Sequence, residues 1–217
     1  MLRYVCVLFA LSVPLLPGFG QSSFINGLTH GNETITCDLP GSQHIQNIGS
    51  KINGAGMCVF SSIEMAALYA GHEQMRGWRN WCATSMPGGG WPERVDDYLG
   101  KWFKSKNLEP IPYIQYEGKN PETVLDLCDK TGRMAGITYG YSPRYGTSIQ
   151  HMTNAVMFKG DYGVVLDNNF TGEDRYEWVA RKELIRRTIY PNKSAWVFVW
   201  LHQGPPPSPH NKKEVTP

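Results

Sequence analysis

Asn53-Gly54-Ala55-Gly56-Met57-Cys58-Val59-Phe60-Ser61-Ser62-Ile63-Glu64-Met65-Ala66-Ala67-Leu68-Tyr69-Ala70-Gly71 is the stretch on which the reading of the chain turns. Val59, Ile63, Ala66 and Ala70 recur at three- and four-residue spacing, which predicts a helix over Cys58 to Ala70, with Gly71 as its stop. The glycines at 54 and 56 give an open approach to that helix, and Cys58 falls in its first turn. Free N–H groups and the positive end of the helix dipole favour a thiolate there over a thiol. Cys58 is therefore a candidate nucleophile, to be weighed against a small cysteine buried at the start of a packed helix.

Working outward, Pro92 opens a second predicted helix that carries Val95, Tyr98, Leu99, Trp102 and Phe103 on one face. Asn120 and Pro121 open a third, with Val124, Leu127 and Cys128 as its packing residues. After it the period shortens. Met134 to Tyr141, Met152 to Phe158, Gly163 to Asn168 and Ala195 to Leu201 read as strands, with a short helix near Arg181 to Arg187. Helices precede strands, so the expected class is α+β, with an N-terminal helical part, whose central helix bears Cys58, packed on a C-terminal antiparallel β-sheet.

Residues 1–20, with Arg3 and then the apolar run Tyr4 to Leu16, read as a secretory signal ending near Gly20. Pro14 and Pro17 interrupt that run, which is too short for a membrane anchor. The expected location is secreted or periplasmic, with no membrane association once the leader is removed. Residues 21–50 are polar and weakly periodic and are expected as an extended arm, residues 51–203 as the catalytic domain, and residues 204–217, rich in proline, as a solvated tail. Of the 217 residues, 41% are hydrophobic and 18% charged, which excludes a disordered chain. Net charge is +2, and +1 without Arg3, which predicts no nucleic-acid partner.

A nucleophilic cysteine requires a base. His30 and His44 lie in the arm, His202 ends the last strand, His210 is in the tail, and His72 lacks a second histidine at zinc-protease spacing. His151 instead opens a predicted hairpin whose turn is Lys159-Gly160-Asp161-Tyr162. With Gly160-Asp161 as a two-residue turn, Lys159 pairs with Tyr162, Thr153 faces Asn168, and Asn168 shares the face of His151. A one-residue slip would put Asp167 there instead. The turn preference favours Asn168 as the residue that orients the imidazole.

These residues together resemble the papain-like cysteine peptidases. Gly56-Met57-Cys58 resembles the family's nucleophile segment, and Gly89-Gly90-Trp91-Pro92 its Gly-Gly-aromatic-Pro stretch. His151-Met152 with Ala155-Val156 resembles the histidine strand, and Asn168-Asn169-Phe170 the asparagine segment, in the family's order over about residues 53–200. The resemblance implies a papain-like fold and cleavage of peptide or protein substrates through a thioester. Cys58 would be the nucleophile, His151 the base and acid, Asn168 the orienting residue, and Gly89 and Gly90 the peptide-pairing backbone. It implies no metal and no organic cofactor.

The chain also departs from the family pattern. Ile52 stands where the oxyanion glutamine is usual, leaving Asn53 as the candidate donor, with Gln46 and Gln43 behind it. Ala55 stands in place of a disulfide cysteine, and Val59 in place of the following tryptophan. Once Cys58 is reserved, Cys37, Cys82 and Cys128 allow at most one disulfide. Two other readings are compatible with the sequence. One is a different thiol acyl-transfer enzyme on the same scaffold, such as a bacteriocin-type leader peptidase, a transglutaminase or an amidase; the other is an inactive peptide-binding module.

Overall fold

Every residue of α1 (Cys58–Tyr69) from Val59 onward is buried, so this helix is wrapped by the rest of the molecule. Its serines are compatible with burial because they discharge their hydroxyls onto backbone carbonyls: Ser61 Oγ on Met57 O at 3.0 Å and Ser62 Oγ on Met152 O at 3.0 Å. The structure, a computed structural model, describes residues 29–30, 33–35, 37, 39, 41–85 and 88–201. The expected leader, the expected tail, His202 and His210 lie outside the described residues.

The described chain is mixed α/β, with five α-helices and a six-stranded antiparallel sheet, besides a short pairing of β1 (Thr29–His30) with β2 (Glu33–Thr34). α2 (Trp78–Ser85) follows α1 and has no strong local pattern. Its start is fixed from outside: buried Glu64 accepts the N–H of Gly77 at 2.7 Å and that of Arg79 at 2.6 Å. Burial raises the Glu64 carboxyl, and those two N–H groups offset part of the effect. α3 (Pro92–Lys106) follows the expected spacing, with Val95, Tyr98, Leu99, Trp102 and Phe103 inside, and stops at left-handed Asn107.

α4 (Glu122–Lys130) starts later than expected and receives no side-chain cap; the Asn120 N–H instead bonds the Tyr116 hydroxyl at 3.0 Å. Leu125 and Cys128, three residues apart, share the inward face, while Leu127, about half a turn round from Leu125, is 56% exposed, contrary to the packing expected for Leu127. α5 (Arg181–Ile189) is the expected short helix.

The sheet runs β3 (Tyr113–Gly118), β8 (Ala195–Trp200), β4 (Ala135–Ser142), β5 (Thr147–Lys159), β6 (Tyr162–Leu166), β7 (Tyr176–Ala180). One buried cluster joins α1, α2 and α3 to Met152, Val156, Phe198 and Trp200; another joins Leu125 and Leu184 to Ile137, Ala155 and Val165. The sheet is thus covered on both faces, which is why β5 is buried without alternation from His151 to Phe158. β5 begins at Thr147, so His151 lies within a strand instead of opening one. Among the described residues no helix is long and apolar enough to cross a membrane.

Candidate active site

Cys58 is brought to the cleft by a backbone loop: Gly49 and Gly56 form an antiparallel bridge, the Ser50 N–H bonds Ala55 O at 2.7 Å, and the Met57 N–H bonds Ile48 O at 2.9 Å. The cysteine then starts α1, half-buried, and its side chain is hydrogen-bonded to His151. His151 Nε2 is 2.9 Å from Asp167 Oδ1, which leaves Nδ1 for the sulfur. Cysteine, imidazole and carboxylate therefore form one chain.

The third residue is Asp167, which corrects the expectation of Asn168. The turn itself has the expected form, with Lys159 paired to Tyr162 and Gly160 at φ 58°. The difference arises along the hairpin. Met157 pairs with Val164 but Ala155 pairs with Val165, so Val156 is an extra residue and the register slips by one. That slip transfers Asp167 to the face of His151 and takes Asn168 off it. The carbonyl of the bulged Val156 accepts the Cys37 N–H at 2.7 Å, and the nearby Phe158 N–H bonds Asp129 Oδ1 at 3.0 Å, so two neighbouring segments hold the irregular strand.

Asn168 has a different role, beneath the nucleophile. Its fully buried Nδ2 lies 3.1 Å from Cys58 O, 2.9 Å from Ser62 Oγ and 2.9 Å from Met152 O, tying the end of β6 to α1 and β5.

Burial raises the Cys58 thiol, but the His151 hydrogen bond and charge, with backbone N–H groups, outweigh it and lower the pKa overall. For His151 burial favours the neutral ring, yet the bonds to Asp167 and Cys58 and their charges carry it up to about 9. Asp167 is lowered: burial opposes its charge, but His151, the Asn169 N–H and Tyr145 prevail. Both shifts run in the direction that favours thiolate and imidazolium over the neutral pair. By contrast, burial raises Cys82 and Cys128, the latter to about 12, so neither is a comparable nucleophile.

The pair lies in a cleft of about 660 Å³ that Gly89 and Gly90 also line, together with Trp196. A Cβ on Gly90 would stand 2.6 Å from Val59 Cγ1, so only glycine lets this segment lie against α1. None of the residues lining the cleft is Asp, Glu, Lys or Arg.

Asn53 does not reach the cleft, which corrects its assignment as oxyanion donor. It is exposed, and its Oδ1 accepts the Ala55 N–H at 3.1 Å, a local turn that fixes the amide on its own backbone. Neither Gln46 nor Gln43 lines the cleft.

Two residues of the site were missed from sequence. Tyr145 donates to Asp167 Oδ2 at 2.8 Å with its ring edge-on to His151. Asn47 lines the cleft eleven residues before Cys58, brought there by long-range pairing, the Gly49–Gly56 bridge and its own N–H bond to Asn168 O, and no motif spacing signals it. Comparison of the chain with protein-family models and with curated proteins finds no match.

Proposed function

We propose that this protein is a secreted cysteine peptidase of papain-like type that hydrolyses peptide bonds through Cys58, His151 and Asp167. The observation that carries the reading is the half-buried thiol with a lowered pKa, hydrogen-bonded to an imidazole whose other nitrogen is held by a buried carboxylate. The Cys58 sulfur attacks the scissile carbonyl carbon, and the C=O electron pair moves onto oxygen. The Cys58 N–H, at the start of α1, is the main-chain donor proposed for that developing charge. His151 Nδ1–H then protonates the leaving amine as the C–N bond breaks, giving a thioester. The neutral imidazole next takes a proton from water, the hydroxyl adds to the thioester carbonyl, and collapse expels the thiolate and frees the acid.

Gly89 and Gly90 offer backbone at the cleft wall for an extended peptide, and a lining without charged side chains other than the catalytic pair suits neutral residues next to the scissile bond. The test is incubation of the wild type and Cys58→Ala with an unfolded protein, alongside iodoacetamide labelling at mildly acidic pH. The wild type is expected to cleave and to label rapidly at Cys58, while Cys58→Ala does neither. Equal cleavage by the two proteins, or labelling no faster than that of a free thiol, refutes the peptidase.

A further inference from the structure

We infer that Asn47 supplies the side-chain amide of the oxyanion site, and that Asp167 positions it through Tyr145 and Asn169, so that one carboxylate aligns both the base and the oxyanion donor. This rests on the peptidase reading above. Asn47 lines the cleft with Cys58, and its amide lies against Gly56: a Cβ on that glycine would stand 3.5 Å from Asn47 Nδ2 and 3.7 Å from Oδ1. The backbone of Asn47 is fixed, because its N–H bonds Asn168 O at 2.7 Å.

Hydrogen bonding sets the direction of the amide. Asp167 Oδ2 accepts the Tyr145 hydroxyl at 2.8 Å, and the Tyr145 oxygen accepts Asn169 Nδ2 at 2.9 Å. Asn169 must then present its Oδ1, which accepts Asn47 Nδ2 at 3.0 Å. Asp167 also takes the Asn169 N–H on Oδ1 at 3.0 Å, which fixes the middle of the relay. One Asn47 Nδ2 hydrogen is used by Asn169, and no hydrogen bond to another described residue takes the second, on the wall of the cleft that holds the sulfur. A preset N–H at that place costs no reorganisation when charge develops on the substrate oxygen.

The test compares wild type, Asn47→Ala, Tyr145→Phe and the double variant for turnover of a peptide substrate. It also measures inhibition by a peptide aldehyde, whose adduct oxygen mimics the oxyanion, and iodoacetamide labelling of Cys58. Asn47→Ala is expected to lower kcat about a hundredfold or more with KM little changed, to weaken aldehyde inhibition in step, and to leave labelling at the wild-type rate, since alkylation forms no oxyanion. Tyr145→Phe should cost less on the Asn47→Ala background than on wild type. Unchanged kcat in Asn47→Ala overturns the inference, as does labelling lost in step with turnover, which would make Asn47 a structural residue. A wild type without peptidase activity removes the reading and this inference together, whereas an active wild type matched by Asn47→Ala removes the inference alone.

Discussion

At the scale of single residues, a carboxylate at position 167 does what an amide there could not. It accepts three donors, His151 Nε2, the Asn169 N–H and the Tyr145 hydroxyl, and it adds a charge that favours the imidazolium. An asparagine would keep one acceptor and lose the charge. The folded pKa of His151, about 9, lies above its ordinary value of about 6.5. Its contribution to stability is therefore fully present below about pH 6.5 and is lost as the pH rises through about 9. The proposed rate follows the same limb, because activity needs thiolate and imidazolium together: the lowered Cys58 thiol bounds it on the acid side and His151 on the alkaline side. In Asp167→Asn the alkaline limb of kcat/KM is expected to move toward neutrality, with a loss of about tenfold or more near pH 7. A pH profile with an unmoved alkaline limb would show that the carboxylate does not set the imidazole.

Among the elements, Asn168 holds β6, β5 and α1 together through a single amide nitrogen within reach of three acceptors. Asn168→Ala leaves buried acceptors without that donor and should cost about 2 kcal/mol or more. Urea unfolding measures this as a lower midpoint at unchanged slope, and a midpoint equal to wild type would contradict it. Asn168 was thus legible as important but not in its role. α1, α3 and the Gly160-Asp161 turn could be read from sequence because their signals are local: spacing, an initial proline and a glycine at positive φ. α2 could not, since its cap is Glu64, thirteen residues before Gly77. β7 was hidden because Glu177, the second of its five residues, is a charged residue at a buried position. The third member of the site escaped for a related reason. A strand buried on both faces has no apolar alternation to fix its register, so the bulge at Val156 left no trace in the pattern.

Across the whole molecule, the side of the sheet covered by α4 and α5 contains a buried ion pair. Arg187 of α5 and Glu177 of β7, each with a side chain 1% exposed, meet at 2.7 Å. The Tyr139 hydroxyl bonds Glu177 at 2.9 Å and accepts from Arg187 at 2.8 Å, and Ser142 Oγ reaches both carboxylate oxygens. This network joins α5 to β4 and β7, and Tyr139 pairs directly with His151 across the strands, so its integrity bears on the cleft. Two charges withdrawn from water add little net stability as a pair, but removing one strands the other. Arg187→Met is therefore expected to destabilise the fold by about 3–5 kcal/mol. Adding Glu177→Gln removes the stranded charge, and the amide can still bond Tyr139 and Ser142, so the double variant should recover part of that loss. A urea series on the wild type, both single variants and the double separates the pairwise energy from the burial cost. If the double variant were as unstable as the sum of the singles, the two residues would be acting independently, and the network would not be the tie between α5 and the sheet behind His151.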